Sequence, residues 1–394
     1  MTDTLESVST RSWTIAVGAA YALQGIGYAV VVTAVPSFQQ RLDIGEGTVS
    51  IILLGVCLAA ASGSVLADLV ALRRSSRRAV QVGFAIQVLG LVGVALAPTL
   101  PLFVLAVLCF GVGLGTIDAA AAMQGVLVQR ARGVPLLGRF FATATAGSIT
   151  GAIVMSVSIS ARGGAAFALL AAAVLQGVGV FVIARRLDAR RAARESGREA
   201  GDSGSSADRA PLPRGAIAVA GFVILAAFTI DSGASSWSSV HLTDLGAVAA
   251  LAPLGYAAYQ GAVLLSRLAL DPVQRRFGAR LVLATALVLG ALGGFVVALV
   301  PVPLVAVGGF VLSGFAVGAM VPLGFGLAGQ IDPARSDEVI ARVNLFNYAG
   351  AVFGAVALGL LLEAVGASVA FLVPVLLLLA ALPALRSMPH GREP

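Results

Sequence analysis

Apolar residues run along this chain in twelve long stretches that are separated by polar breaks. Each stretch approaches or exceeds about 20 residues, which is the length an α-helix needs to cross the hydrocarbon core of a bilayer. Several breaks are very short, such as the one from Pro98 to Pro101, and leave no room for a soluble domain. The predicted spans lie near residues 13–35, 49–71, 79–97, 101–128, 138–160, 164–184, 216–237, 250–270, 281–300, 303–328, 341–362 and 366–385.

One break is much longer than the others and is rich in Arg, Ser, Gly and acidic residues. It covers 185–215 and predicts a disordered or loosely helical linker between two halves. An amphipathic surface helix from Arg185 to Arg198 is the alternative. The predicted organisation is a six-helix bundle in 1–184, a cytoplasmic linker in 185–215 and a second six-helix bundle in 216–394.

Composition indicates that the bilayer is the solvent of this chain. Hydrophobic residues make up 58% of it and charged residues only 11%, against about 25% charged residues in soluble domains. The fold class is therefore predicted as all-α and integral to the membrane. All 26 basic residues are arginines, which excludes a Walker A phosphate loop because that loop needs a lysine.

Arginines concentrate in the breaks that are predicted to face the cytoplasm, as the positive-inside rule requires. The opposite side holds only Arg41 and Arg162. This bias explains the net charge of +7 without a nucleic-acid partner, and it predicts a multi-pass protein of the cell membrane with both termini cytoplasmic. The clustered arginines are Arg73, Arg74, Arg77, Arg78, Arg130, Arg132, Arg139, Arg275, Arg276 and Arg280, with eight more in the linker.

The two halves are related by an internal repeat with a constant offset of 203 residues. Charged residues are rare here, so their coincidence under one offset carries the most weight. Halves with an even number of spans insert in the same orientation, an arrangement known in transporters with a substrate site between the halves near mid-depth. The matching pairs include Asp68 with Asp271, Arg73 with Arg276, Arg77 with Arg280, Arg139 with Arg342, Gly147 with Gly350 and Gly151 with Gly354.

A short charged motif follows the second span and recurs after the eighth. The first copy is S-V-L-A-D-L-V-A-L-R-R in 64–74, and the second is R-L-A-L-D-P-V-Q-R-R-F-G-A-R in 267–280. Both resemble the motif G-x-x-x-D-R-x-G-R-R of the major facilitator superfamily, although Ser64 and Leu69 replace its first Gly and Arg. The resemblance covers nearly the whole chain. It implies twelve transmembrane helices in two parallel six-helix repeats and solute transport by alternating access.

A looser likeness points to a bacterial, sugar-transporter-like branch of that family. Its members read G-x-G-x-x-D-x-x-x-N-x-Q-G in the fourth span and acidic-G-A-x-x-D-W in the seventh. This chain has Ala122 where the Asn stands and Ser236 where the Asp stands, which leaves the substrate open. The matching residues are Gly113, Gly115, Asp118, Gln124, Gly125, Asp231, Gly233, Ala234 and Trp237.

Four charged residues at predicted cytoplasmic ends suggest a gate. The resembled fold places span two beside span eleven and span eight beside span five, which implies the bridges Asp68–Arg342 and Asp271–Arg139. The alternative is that these arginines only anchor helix ends at lipid headgroups. The predicted gate consists of Asp68, Arg73, Arg139, Asp271, Arg276 and Arg342.

Charged side chains inside spans are costly and therefore mark functional candidates. Asp118 lies in span four and Asp231 in span seven. A carboxylate at mid-depth suits proton coupling, because desolvation favours its neutral form. Asp118 has a structural alternative as a hydrogen-bond partner within its half. For Arg267, a local bridge to Asp271 one turn later is favoured over a solute contact.

Amides deep in the spans are predicted to contact the solute together with Asp118 and Asp231. Amides with aromatic platforms, for which Tyr21, Tyr28, Tyr256 and Tyr259 are candidates, would suit a polyhydroxylated or amphipathic organic solute. Trp237 could also contact the solute, but it lies near the predicted end of span seven, where a tryptophan is more often an interfacial anchor. The candidate amides are Gln24, Gln124, Gln260 and Asn347.

These observations predict a monomeric secondary transporter of a small organic solute, with the proton as the expected coupling partner and with no cofactor or metal. A drug-efflux antiporter is the alternative, although Gly147 to Gly151 lacks the Gly-Pro pair of that family's fifth span. A non-transporting sensor that acts through the linker is a further alternative. A membrane enzyme is disfavoured, because His241 and His390 have no partner at a spacing typical of a metal site or triad.

Overall fold

The described part of the chain is a succession of helices. The computed structural model describes residues 2–133, 136–161, 163–187, 213–332 and 336–385. Its helices are α1 Thr2–Thr33, α2 Val35–Leu42, α3 Glu46–Arg73, α4 Ser76–Leu96, α5 Leu100–Arg132, α6 Leu137–Ser160, α7 Gly164–Ala184, α8 Arg214–Asp244, α9 Leu251–Phe277, α10 Ala279–Leu299, α11 Pro303–Gly329, α12 Ser336–Val352, α13 Leu358–Val365 and α14 Ala367–Ala384.

Twelve transmembrane helices account for nearly all of these elements. Ten stretches of the described residues are long and apolar enough to cross a membrane. The 27-residue α9, which carries several arginines, and the shorter α14 complete the set. The eleventh span joins α12 to α13 through the π-helical turn Phe353–Ala357. The predicted twelve-helix membrane fold is confirmed.

Two helices run well past their predicted ends. Helix α8 continues from 237 to Asp244, and α9 continues from 270 to Phe277. The serine-rich run around Trp237 looks like a span boundary in the sequence, yet it is buried inside the protein. Ser239 Oγ donates to the Ala252 carbonyl at 3.3 Å, and Thr243 Oγ1 donates to the Ser239 carbonyl at 2.8 Å. The short helix α2 was not predicted.

The chain forms two compact units. The first unit contains the described residues of 1–31 and 55–209, and the second those of 32–54 and 210–394. Segment 32–54 packs with the second unit, where Gly359 lies against Ser50 and Trp237. The predicted bundle boundaries remain a prediction. The linker from 188 to 212, Arg162 and His390 lie outside the described residues.

Glycines bring helix backbones into contact, and these contacts repeat between the units. An added Cβ on Gly147 would overlap the Ala22 carbonyl of α1, and one on Gly350 would overlap the Leu225 carbonyl of α8. Both members of the second contact lie 203 residues after those of the first. Other contacts recur at the same offset, namely Gly151–Ile26 with Gly354–Thr229, Gly115–Ala60 with Gly318–Val263, and Gly18–Thr143 with Gly221–Phe346.

Alanine at either of two matched glycines should loosen its unit. In Gly147→Ala or Gly350→Ala the new methyl group overlaps a carbonyl oxygen of the facing helix, and overpacking of this kind costs about 1–3 kcal/mol. We expect a lower midpoint of thermal unfolding in detergent, measured by fluorescence.

The control is Gly177→Ala in α7, where an added Cβ meets no heavy atom within 4 Å. Alanine there should be neutral or stabilising, because it is a better helix former than glycine. Equal melting points for all three variants would contradict a role of these contacts in stability.

Candidate functional site

The first unit places a carboxylate and an amide together within its membrane-spanning helices. Gln24 Nε2 on α1 donates a short hydrogen bond to Asp118 Oδ1 on α5. Gln24 is buried, whereas the Asp118 side chain is exposed. Asp118 lies 14 residues before the end of α5 at Arg132, which is about 21 Å along the helix axis. The sequence separated these two candidates by 94 residues, and the fold joins them.

A tyrosine lies beside this pair. Tyr21 is one turn before Gln24 on α1 and interacts electrostatically with Asp118. Its ring stacks on Phe140 with a centroid separation of 5.7 Å. Its hydroxyl is buried without a hydrogen-bond partner among the described residues. A buried hydroxyl of this kind can still serve a polar ligand or water near Asp118.

The second unit holds a different carboxylate site, between α8 and α9. Tyr259 Oη donates to Asp231 Oδ1 at 2.7 Å. One residue later on α9, Gln260 Nε2 donates to Tyr256 Oη at 2.8 Å. Both tyrosines are fully buried, while Asp231 and Gln260 are half-buried and keep accessible surface. The buried hydroxyls therefore fix the orientation of groups that a ligand can reach.

Arg267 belongs to this second site. Its guanidinium interacts electrostatically with the Asp231 carboxylate and with Tyr259. The favoured reading of the sequence paired Arg267 with Asp271 one turn along α9. That reading missed Asp231 because neighbours along one helix are visible in the sequence, whereas the helix that faces them is not. The eight-residue spacing from Tyr259 to Arg267 is just over two helical turns.

Gln124 lies apart from both carboxylates and already has partners. Its Oε1 accepts from Trp13 Nε1 at 2.7 Å, and its Nε2 donates to Ser76 Oγ at 2.8 Å. These bonds tie together α1, α4 and α5. Gln124 and Ser76 are buried, and Trp13 is half-buried. The geometry favours a structural role, while solute binding by Gln124 remains a prediction.

The remaining predicted site residues differ in their surroundings. Asn347 is half-buried on α12 and has a polar or ring contact of its own. Trp237 was read wrongly as an interfacial anchor, because α8 extends beyond it. The Trp237 ring is completely buried, and its Nε1 donates to the Ala355 carbonyl of the π-helical turn at 3.0 Å.

The six residues of the predicted cytoplasmic gate are all exposed. Asp68, Arg73 and Arg139 belong to the first unit, and Asp271, Arg276 and Arg342 to the second. Each predicted bridge joins one residue from each unit. Contacts within one unit do not test such a bridge, and the gate remains a prediction.

Replacing Gln124 with leucine should destabilise the first unit. Gln124→Leu keeps the side chain close to its original size but leaves the Trp13 indole N–H and the Ser76 hydroxyl without their partner. A buried polar group left unpaired costs about 1–3 kcal/mol, so thermal unfolding in detergent should begin several degrees lower. Gln40→Leu, at an exposed position of α2, serves as the control. An unchanged melting point for Gln124→Leu would argue instead for a role confined to solute binding.

Comparison with known proteins gives a consistent result over the whole chain. The family model described as Major Facilitator Superfamily matches residues 17–276 and 217–393. An uncharacterized MFS-type transporter of Yersinia pestis is 26% identical over 378 residues, covering 95% of this chain and 93% of the relative. An uncharacterized transporter of Sinorhizobium fredii is 28% identical over 355 residues, covering 88% and 90%.

Solved structures show the same fold at low sequence identity. A variant of the nucleoside transporter NupG superimposes with a TM-score of 0.75 at 14% identity, covering 96% of this chain and 99% of that one. A D-xylose-proton symporter superimposes with a TM-score of 0.73 at 18% identity, covering 96% and 98%. The chain belongs to the major facilitator superfamily, and it is a multi-pass membrane transporter rather than an enzyme.

Proposed function

We propose that this chain is a proton-coupled secondary transporter that moves a small polar organic solute by alternating access. The observation that carries the proposal is a pair of accessible carboxylates inside membrane-spanning helices, each held by an uncharged hydrogen-bond donor. Gln24 holds Asp118, and Tyr259 holds Asp231.

An uncharged donor leaves the carboxylate able to exchange a proton. A direct ion pair would hold the carboxylate in its charged form, since breaking a buried pair leaves an uncompensated charge. An amide or phenol stabilises the carboxylate by a hydrogen bond without cancelling its charge. At Asp118 the remaining charge is expensive in a membrane, and a proton removes it. At Asp231 the more distant Arg267 acts on the carboxylate without a direct hydrogen bond from Arg267 being needed to hold it. Asp118 and Asp231 are therefore the coupling residues in this proposal.

The class of solute follows from the groups beside the carboxylates. Gln260 and the Tyr21 hydroxyl offer hydrogen bonds rather than an extended apolar surface, which favours a polar organic solute. The fold neighbours include a D-xylose-proton symporter and a nucleoside transporter. A shared fold at this identity supports such a class only in general terms.

Topology and assembly complete the proposal. The arginine bias supports insertion in the plasma membrane with both termini cytoplasmic. The even number of spans in each sequence repeat agrees with that orientation. We expect the protein to work as a monomer, since each site is built from helices of one chain.

Asp231→Asn should uncouple transport from the proton. The test uses proteoliposomes with a trapped pH-sensitive dye and solutes selected by thermal stabilisation of the purified protein. Wild type should show solute-driven proton movement, and Asp231→Asn should lower it by at least about tenfold, because the amide carries no exchangeable charge. Exchange of labelled solute in the absence of a gradient should persist. Asp118→Asn tests the second coupling residue in the same way.

Asp43→Asn is the matched control, because Asp43 is exposed and asparagine tolerates its left-handed backbone. Solute exchange by wild type without any proton movement would contradict the proposal. The sign of the proton movement separates uptake symport from an efflux antiporter.

The predicted gate is tested by neutralising its acids. Asp68→Asn and Asp271→Asn should each lower the rate of transport while leaving the amount of protein in the membrane unchanged, because each removes one side of a proposed bridge. The measurement is initial uptake or efflux normalised to membrane-inserted protein. Unchanged kinetics in both variants would reduce the role of these residues to topology.

A further inference from the structure

Asp231 has a single cationic neighbour among the groups that surround it in the described residues. Helices α11 and α14 pack against α8 and contain no charged residue. Arg342 is on α12, and Gly354 lies in the π-helical turn that continues this helix. Because Gly354 meets the Thr229 carbonyl, Arg342 is about 20 Å from the level of Asp231 along the helix axis. Arg41 on α2 is exposed. Helix α9 supplies Arg267, Tyr256 and Tyr259.

The other titratable groups of α8 lie far along the same helix. His241 and Asp244 are 10 and 13 residues after Asp231, and Arg214 is 17 residues before it. These separations correspond to roughly 15, 20 and 25 Å along the axis. Arg267 is therefore the charge that responds to the protonation state of Asp231.

The carboxylate and the residue that carries the cation lie at different levels along α9. Tyr259 marks the level of Asp231 through their hydrogen bond. Arg267 follows eight residues later on α9, which is about 12 Å along the axis. Arg267 is half-buried, and Asp231 also keeps accessible surface. Both groups can be reached by a ligand that lies along α9.

We propose that Arg267 binds the carboxylate of a small organic anion, and that protonation of Asp231 makes this binding favourable. The inference rests on the proposed transport function and names its substrate class. With Asp231 ionised, the carboxylate and the guanidinium balance each other. When Asp231 accepts a proton, the charge of Arg267 loses its counterpart in a medium of low polarity. A solute carboxylate restores the balance, and the planar guanidinium matches it with two parallel hydrogen bonds.

This arrangement couples proton and solute thermodynamically. Binding of the proton at Asp231 raises the affinity of Arg267 for the anion. Binding of the anion raises the affinity of Asp231 for the proton by the same factor, because binding free energies are reciprocal. The proton resides on a carboxylate oxygen of Asp231, and no bond of the solute is made or broken. The cotransported pair is electrically neutral.

The experiment compares acids with their uncharged amides, which have nearly the same shape. Lactate, gluconate and benzoate are tested against lactamide, gluconamide and benzamide by thermal stabilisation of the purified full-length protein. Among the acids, at least one should stabilise wild type, and its amide should not. Its apparent affinity should rise as the pH falls from about 7.5 to about 5.5, a range in which the acids remain ionised, because binding is proposed to follow protonation of Asp231.

Three variants locate the effect. Arg267→Gln should lower the affinity for the acid about tenfold or more. Arg267→Lys should keep part of the affinity, because lysine retains the charge but lacks the fork. Asp231→Asn should bind the acid with no dependence on pH, since it is permanently neutral. Arg275→Gln, an exposed position on the same helix, should match wild type.

Several results would overturn the inference. These are stabilisation by amides but not by acids, failure of every acid to bind, or acid binding that Arg267→Gln leaves unchanged. If Arg267→Gln does not fold, Asp231→Asn still provides a test. Acid binding that no longer depends on pH in Asp231→Asn supports the inference, and acid binding that still depends on pH contradicts it. Proton movement driven by neutral solutes would remove the anion class and leave the proposed transport function standing. Absence of proton movement with any solute would end the proposed function itself.

Discussion

Contact between helix backbones at glycine is the constraint on which the rest of this structure depends. Lipid is as apolar as the helix surfaces, so burial of apolar side chains contributes little to helix association, and close packing must replace it. Gly25 of α1 meets the Ala144 carbonyl, and Ser148 Oγ donates to the Gly25 carbonyl at 3.3 Å. Gln24 immediately precedes Gly25, so this contact sets the position from which Gln24 reaches Asp118. In the second unit Gly354 meets the carbonyl of Thr229, which lies two residues before Asp231. The same packing therefore fixes both carboxylate sites.

The repeat that organises these contacts does not extend to the chemistry. An offset of 203 residues relates Asp231 to Tyr28 and Asp118 to Val321. The first unit carries its polar pair on α1 and α5, whereas the second carries its pair on α8 and α9. Structural glycines recur because both units solve the same packing problem in lipid. The two membrane-embedded carboxylates do not recur, so the two units differ in the polar groups that they hold within their spans.

Sequence patterns predicted the spans well because hydropathy alone decides which segments enter a membrane. They failed where the outcome depends on a facing helix. Trp237 stands in a serine-rich run that looks like a boundary, yet it is buried against the π-helical turn. Gln124 looks like a free amide in the sequence, but its side-chain oxygen accepts a hydrogen bond from Trp13, which lies 111 residues away along the chain. The electrostatic contact between Arg267 and Asp231 could not be seen in the sequence for the same reason. Periodicity along one helix identifies a face and does not identify the neighbour of that face.

The surroundings of the two carboxylates predict different consequences of taking up a proton. Asp118 is held by the uncharged Gln24, and among the described residues no cation acts on it. A proton there removes the net charge of the site, which lowers the cost of exposing that site to a less polar environment. Asp231 has Arg267 within electrostatic range. A proton there leaves a net positive charge, which raises the attraction for an anion. Protonation of Asp118 is suited to make a conformational change of the protein easier. Protonation of Asp231 is suited to make solute binding depend on the proton.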